Sequence, residues 1–314
     1  MLNKEELIIR EEPLVFSNKK VDLCIMLCAG FTIVKNAVKY GYPVKESILS
    51  ALPLCDVFYV LIGDCEDGTE ELIRSIDSSK IVIHRSVWDK QATQHGEVLA
   101  IETNKAKALI PNSYSWLLYL QADEALHEKD FDTIRTAMLE NRDNEKVDGL
   151  LFSYYHFWGS FEYIGTTSKW YRREIRIIKN SPSIFSYRDA QGFRKLPNHK
   201  LNVVLIDAHV YHYGWVRPPA KMQEKFAGVQ QYWSNENKYI PAQTEFDYNQ
   251  IDELALFSGT HPAVMNEIVA KQAWTFTYNP AIKKLRIKDQ LKRLLFTLTG
   301  YRFFEYKNYR RIRN

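Results

Sequence analysis

The chain has no apolar run approaching the roughly 18 residues that a membrane-crossing helix requires, so no transmembrane span is expected. Cysteine is scarce. Cys24, Cys28, Cys55 and Cys65 show no zinc-ligand spacing, which points to reduced thiols in a cytoplasmic protein. A Gly-rich triphosphate loop is missing, since Cys28-Ala-Gly-Phe-Thr32 supplies a single Gly. The basic residues form no stripe and no recognition motif occurs, which argues against nucleic acid as a partner. The first 20 residues, with Glu5, Glu6, Glu11 and Glu12, are too acidic and interrupted for a secretion signal. They read as a polar arm with one edge strand near Leu7–Ile9.

What is present is the composition of a globular protein with ample material for a core. Of 314 residues, 46% are hydrophobic and 25% charged. Net charge is +4, but its distribution is uneven. From Lys283 onward 11 Lys/Arg stand against 2 Asp/Glu, leaving 31 against 36 in the rest. A slightly acidic body with a basic tail suggests a polyanionic surface as partner. In the tail, Ile287, Leu291, Leu294, Leu295 and Leu298 share one helical face, with Lys284, Lys288, Lys292 and Arg293 on others. Such a helix either lies on an anionic membrane or packs its stripe against the domain.

Apolar segments at Val21–Cys28, Phe31–Val34, Asp56–Ile62, Ile81–His84 and Trp116–Leu120 read as strands. Helix candidates at Val44–Ala51, Glu70–Ile76, Glu97–Leu109 and Phe131–Glu140 alternate with them. This alternation predicts an α/β fold with a mostly parallel sheet and crossover helices. Past Glu140 the texture changes to β segments at Gly149–Tyr155, Glu174–Ile178 and Val203–Ile206, joined by aromatic loops. The last third, from Pro218, reads as largely helical.

In a parallel sheet the loops after successive strands lie on one edge, where open α/β sheets bind ligands. Lys35, Asn36, Asp64, Asp67, Asp123 and Glu124 would converge there. Gln121-Ala122-Asp123-Glu124 is the most informative of these loops. Its acids either cap a following helix or supply oxygen ligands to a hard cation such as Mg²⁺ or Mn²⁺. A cation, acids for ribose hydroxyls and backbone donors together make a nucleotide-diphosphate site.

The order strand–Val34-Lys-Asn36, strand–Gly63-Asp-Cys-Glu-Asp-Gly-Thr69, strand–Gln121-Ala-Asp-Glu124 resembles the GT-A nucleotide-sugar fold of glycosyltransferase family 2, over roughly Val21–Arg217. The likeness is closest to a bacterial branch carrying Gln-Ala-Asp-Glu, Asp-Ala-Gln-Gly-Phe-Arg and His-Tyr-Gly-Trp-Val-Arg, here at 121–124, 189–194 and 212–217. The resemblance implies an arm over 1–20, a GT-A catalytic domain over 21–217 and a helical, basic extension over 218–314. Within the domain it implies a nucleotide-sugar half over 21–125 and an acceptor half over 126–217. It further implies an inverting glycosyltransferase acting on a nucleoside-diphosphate sugar and a glycan or lipid-linked acceptor. The setting would be cell-envelope polysaccharide synthesis, in the cytoplasm or on the inner face of the membrane.

Residue roles carry over in the same way. Asp123 matches the last Asp of the family's Asp-x-Asp motif, a metal ligand, and His212 a late His that completes the metal shell. Asp64 or Asp67 would sit near base and ribose, Asn104 would line the donor site, and Arg217 would neutralise phosphate. Asp189 falls at the general base. Two positions depart: Gln121 replaces the first Asp, and the usual Asp-Asp-Gly-Ser is here Ile62-Gly63-Asp64-Cys65.

The chemistry needs those residue types. An inverting transfer needs a carboxylate to take the acceptor proton, and a cation where charge develops on the departing diphosphate. Asp189 can do the first. Asp123, His212 and Arg217 can do the second, and Glu174, among Arg172, Arg173 and Arg176, is the rival base. Plainer readings stand beside these: Asp189 as a turn residue, His212 as a structural His, Arg217 as a surface residue, and the aromatic clusters at 154–158 and 211–215 as core. Two other functions compete: a catalytically silent sugar- or membrane-binding protein, and a sugar-1-phosphate nucleotidyltransferase.

Overall fold

The computed structural model describes residues 27–89, 91–92, 95–230, 232, 245–251, 253–280, 287–299 and 306–312. The arm with its Leu7–Ile9 strand, Cys24 and Lys284 lie outside them. The strands are β1 (Cys28–Val34), β2 (Val57–Ile62), β3 (Ile81–Arg85), β4 (Trp116–Tyr119), β5 (Glu124–Leu126), β6 (Gly149–Trp158) and β7 (Tyr163–Gly165). They continue as β8 (Arg173–Lys179), β9 (Ile184–Tyr187), β10 (Gly192–Lys195), β11 (His199–Trp215), β12 (Leu254–Leu256) and β13 (Tyr309–Arg311). The helices are α1 (Ala37–Tyr40), α2 (Val44–Ala51), α3 (Thr69–Arg74), α4 (Glu97–Ala108), α5 (Phe131–Glu140), α6 (Pro219–Gln230), α7 (Asn266–Ala270) and α8 (Ile287–Thr299).

One sheet runs β3-β2-β1-β4-β8-β6-β11-β10-β9. Its first four strands are parallel, β8 is antiparallel to both neighbours, and β11 is parallel to β6. This is the expected α/β class, with a parallel half built from strands that are apolar throughout. β1 and β4 are buried at every residue, as central strands covered on both faces must be. Gly30 belongs inside β1 because a Cβ there would lie 2.2 Å from the Phe58 ring.

The structure alters three readings. The residues after Gln121 open no helix: Glu124 starts β5, whose residues 124–126 pair with His212, Tyr211 and Val210 of β11. The strand expected at Val203–Ile206 is 17 residues long and carries the aromatic run 211–215. The C-terminal third contains α6, α7 and α8 but is also stitched into the body, β12 pairing with β7 and β13 with β11. No helix among the described residues is long and apolar enough to cross a membrane.

Candidate functional site

The C-terminal ends of β1 and β4 open on a cleft of about 670 Å³. Its floor is the Gln121–Asp123 turn, one wall is α6 and the other the Asp189–Ala190 turn. Aromatic rings supply much of the remaining lining, among them Tyr40, Tyr42, Trp88, Tyr119, Tyr171 and Trp215. A mostly apolar cleft with a few polar groups is the usual form of a small-molecule site.

Asp123 is 8% exposed and sits among cations. Lys225 Nζ, on α6, is 3.3 Å from Asp123 Oδ2 and also donates to the Gly214 carbonyl at 2.8 Å. Burial alone would raise the Asp123 carboxyl, but Lys225, His212 and Arg217 outweigh it and hold the group at about 2. Lys225 responds the opposite way: burial, then repulsion from Arg217, pushes it down to about 7 against the pull of Asp123. Both Lys225 and Arg217 stand over the Tyr42 ring, at 4.7 and 5.1 Å.

His212 faces the same carboxylate through Nε2, 3.7 Å from Asp123 Oδ1. Its protonation follows from a chain of contacts. His156 Nε2 lies 2.7 Å from the Tyr171 carbonyl, which can only accept, so that nitrogen carries the hydrogen. Burial pushes His156 well down, so its Nδ1 is a lone pair and takes the Nδ1 hydrogen of His212 at 3.0 Å. Burial lowers His212 against the pull of Asp123, and its Nε2 faces that carboxylate. Asp123 and His212 could each offer one atom to a divalent ion. Among the described residues no third His, Cys, Asp or Glu joins them.

Gly214 makes room for this arrangement. A Cβ there would meet His212 Nε2 at 2.5 Å and Asp123 Oδ2 at 3.0 Å. The register of β11 on β6 shifts between His212 and Trp215, a bulge of the kind that re-aims side chains beside sites.

The expected site residues divide between cleft and scaffold. Lys35, Gln121, Asp123, Asp189 and His212 line the cleft. Asp189 is half-buried on a turn between Arg188 and Ala190, both at positive φ, and its carboxylate has no hydrogen bond or ion pair among the described residues. Lys35 pairs with Asp64 at 2.6 Å. Burial would raise the Asp64 carboxyl, but that pairing and the Trp88 N–H hold it below its usual range.

Others are used up in holding loops. Asn36 accepts from Glu66 N–H, while Asp67 accepts from Lys39 and Thr69 N–H, tying the β1 and β2 loops together. Asn104 spends both ends of its amide on the Ser186 backbone, fixing α4 to β9 away from the cleft. Glu124 makes two 2.7 Å bonds to Arg176 and accepts from Tyr154, with both ions fully buried, so it does not reach a metal. Glu174 is buried beside Gly192 and Asn308, off the cleft, and burial raises it to about 7. Arg217 is not on the cleft wall: it stands behind Tyr42 and donates to the carbonyls of Tyr40 and Gly214. Its charge reaches Asp123 only through space. Lys225, Tyr40 and Tyr42 were not singled out from the sequence. The spacing of Met222, Lys225, Phe226 and Val229 on one helical face was the available signal for α6.

No family model and no curated protein matches the chain. Among solved structures it is similar to S. aureus TarS, at 14% identity and a TM-score of 0.35, over 65% of this chain and 39% of that one. Residues 1–349 of TarS match at 10% identity and a TM-score of 0.38, over 65% and 64%. Glucosyl-3-phosphoglycerate synthase from Mycobacterium tuberculosis, in complex with Mn²⁺, uridine diphosphate and phosphoglyceric acid, matches at 11% identity and 0.28, over 42% and 43%. The chain thus spans less than two thirds of the length of each of these structures.

Proposed function

We propose that the chain is an inverting glycosyltransferase of the family 2 type, moving a sugar from a nucleoside-diphosphate donor to a hydroxyl of a glycan or lipid-linked acceptor. The observation that carries this reading is one cleft lined by two carboxylates in opposite states. Asp123 is ringed by cations and Asp189 has no partner among the described residues. Asp189 takes the acceptor hydroxyl proton as that oxygen bonds to the anomeric carbon. The bond from the anomeric carbon to the donor diphosphate breaks, and the diphosphate leaves toward the positive floor. The base role falls to Asp189 rather than Glu174, which is buried off the cleft. Asp123 and His212 are the residues that would hold Mn²⁺ or Mg²⁺, which would supply Lewis-acid stabilisation of the diphosphate.

The aromatic lining of the cleft suits a base and a sugar, and Lys35 paired with Asp64 suits the nucleoside end. The donor half is then 21–125 and the acceptor half 126–217, with α6 of the 218–314 segment closing the donor side. The reading places the enzyme on the cytoplasmic face of a membrane, where envelope polysaccharides are assembled on lipid carriers, through the basic tail.

Release of nucleoside diphosphate from a panel of nucleotide sugars, with and without Mn²⁺, tests the reading. Asp189→Asn is expected to keep donor binding and lose transfer by about 10²–10⁴-fold, and Asp123→Ala to lose donor turnover. Transfer by Asp189→Asn at the wild-type rate would assign the base elsewhere, and no release with any donor would leave a binding protein.

A further inference from the structure

The cation place beside Asp123 is already held by a side chain. We propose that Lys225 is the built-in cation of the donor site, binding the diphosphate directly and competing with any divalent ion for the Asp123 carboxylate. This rests on the glycosyl-transfer reading and adds a residue and a cation source to it.

Three observations converge on Lys225. Its ammonium has three N–H groups, and the described contacts use two, on Asp123 Oδ2 and the Gly214 carbonyl. The third is left on the cleft side, since Lys225 lines the cleft. Second, the floor turn offers Lys225 one carboxylate. Lys225 and Arg217 both act on the single carboxylate of Asp123, while Glu124 is committed to Arg176 and Lys35 to Asp64. Gln121 stands where a further acid would have added negative charge, and it is neutral. An incoming diphosphate would bring acceptor oxygens and negative charge beside Lys225, favouring its ammonium form. Third, Lys225 is held in place from several sides. The Tyr42 ring lies 4.7 Å from its ammonium, and its side chain is 16% exposed. α6 is in turn seated against Tyr40, whose hydroxyl would be 2.1 Å from a Cβ on Gly228.

A divalent ion entering between Asp123 and His212 would meet a carboxylate already bonded to Lys225. It would have to displace the ammonium from Asp123. Donor binding is thus expected to persist without the ion.

Calorimetric titration of uridine, guanosine, cytidine and thymidine diphosphates into wild type, Lys225→Met and Lys225→Arg, each in EDTA and in Mn²⁺, tests this. Wild type should bind its preferred diphosphate in EDTA within about 3-fold of its affinity in Mn²⁺. Lys225→Met should lose about 10-fold or more in EDTA, the size expected for one charge-assisted hydrogen bond, and recover in Mn²⁺. Lys225→Arg should stay near wild type. Paramagnetic resonance of Mn²⁺ alone should show tighter binding to Lys225→Met than to wild type, and circular dichroism checks that the variant folds. Diphosphate binding by wild type only in Mn²⁺, or a Lys225→Met variant unchanged in EDTA, would overturn the role of Lys225. Equal Mn²⁺ affinity of the two proteins would overturn the competition. Absence of diphosphate binding under both conditions is a separate result that overturns the glycosyl-transfer reading itself.

Discussion

Asp123 and Glu124 are adjacent acids with opposite fates. Asp123 points into the cleft, while Glu124 turns under the sheet onto Arg176, which also lies 5.4 Å from the rings of Tyr119 and Tyr154. Both ions of that pair are fully buried, so its value lies in mutual compensation. Glu124→Gln should therefore cost about 3–5 kcal/mol, because it leaves Arg176 charged and unpaired in the core. Urea unfolding followed by tryptophan fluorescence measures this, and a loss below 1 kcal/mol would show that Arg176 finds another partner. At this scale the sequence pointed to Asp123, Asp189 and His212, which the fold brings to one cleft. Asn36, Asp67 and Asn104 instead spend their side chains on backbone groups, as short polar residues readily do. Lys225 was hidden for another reason. A lysine in an amphipathic helix reads as part of a solvated face until the helix is seen to form a cleft wall.

At the scale of elements, strands with continuous apolar runs and helices with clear periodicity were legible, and β2, α2 and α5 fall within a residue of expectation. β11 was not, because its site end is written in Tyr, His and Trp, which pair as strand without an apolar run. β8, which pairs with β4 and β6, carries a testable titration. Burial raises Glu174 to about 7, above its ordinary 4.5. Between these values the folded chain binds the proton more tightly than the unfolded chain. The stability Glu174 contributes is thus fully present below about pH 4.5 and is lost as pH rises through about 7. The loss is on the order of 3 kcal/mol when complete. Glu174→Gln keeps an acceptor for the Ile175 N–H and removes the titration. Urea midpoints at pH 5 and pH 8 should fall further in wild type than in Glu174→Gln, and parallel curves would mean that Glu174 is not the titrating group.

At the scale of the whole molecule, the charge asymmetry and α8 belong together. Phe296 of α8 lies under Arg172, 5.5 Å from its guanidinium, and Leu295 and Phe296 are half-buried, so one side of the helix faces the body. Leu291, Leu294 and Leu298 are 57%, 54% and 72% exposed, so of the stripe's described side chains only Leu295 turns toward the domain. Three leucines at helical spacing left to solvent are costly unless something covers them. The chain around them is basic while the rest is slightly acidic, so an anionic bilayer would attract the tail and turn the body away. Each Lys or Arg near such a surface contributes about 1 kcal/mol, and the leucines add the apolar burial that makes the contact persist. The protein should sediment with vesicles containing phosphatidylglycerol but not with purely phosphatidylcholine vesicles, and high salt should weaken the binding. Replacing Leu291, Leu294 and Leu298 together by Ser should abolish it without changing nucleoside-diphosphate affinity, because α8 does not line the cleft. Binding that survives the triple replacement would place the membrane contact elsewhere. A protein that instead dimerises through those leucines, seen by ultracentrifugation, would make a second copy the cover of α8.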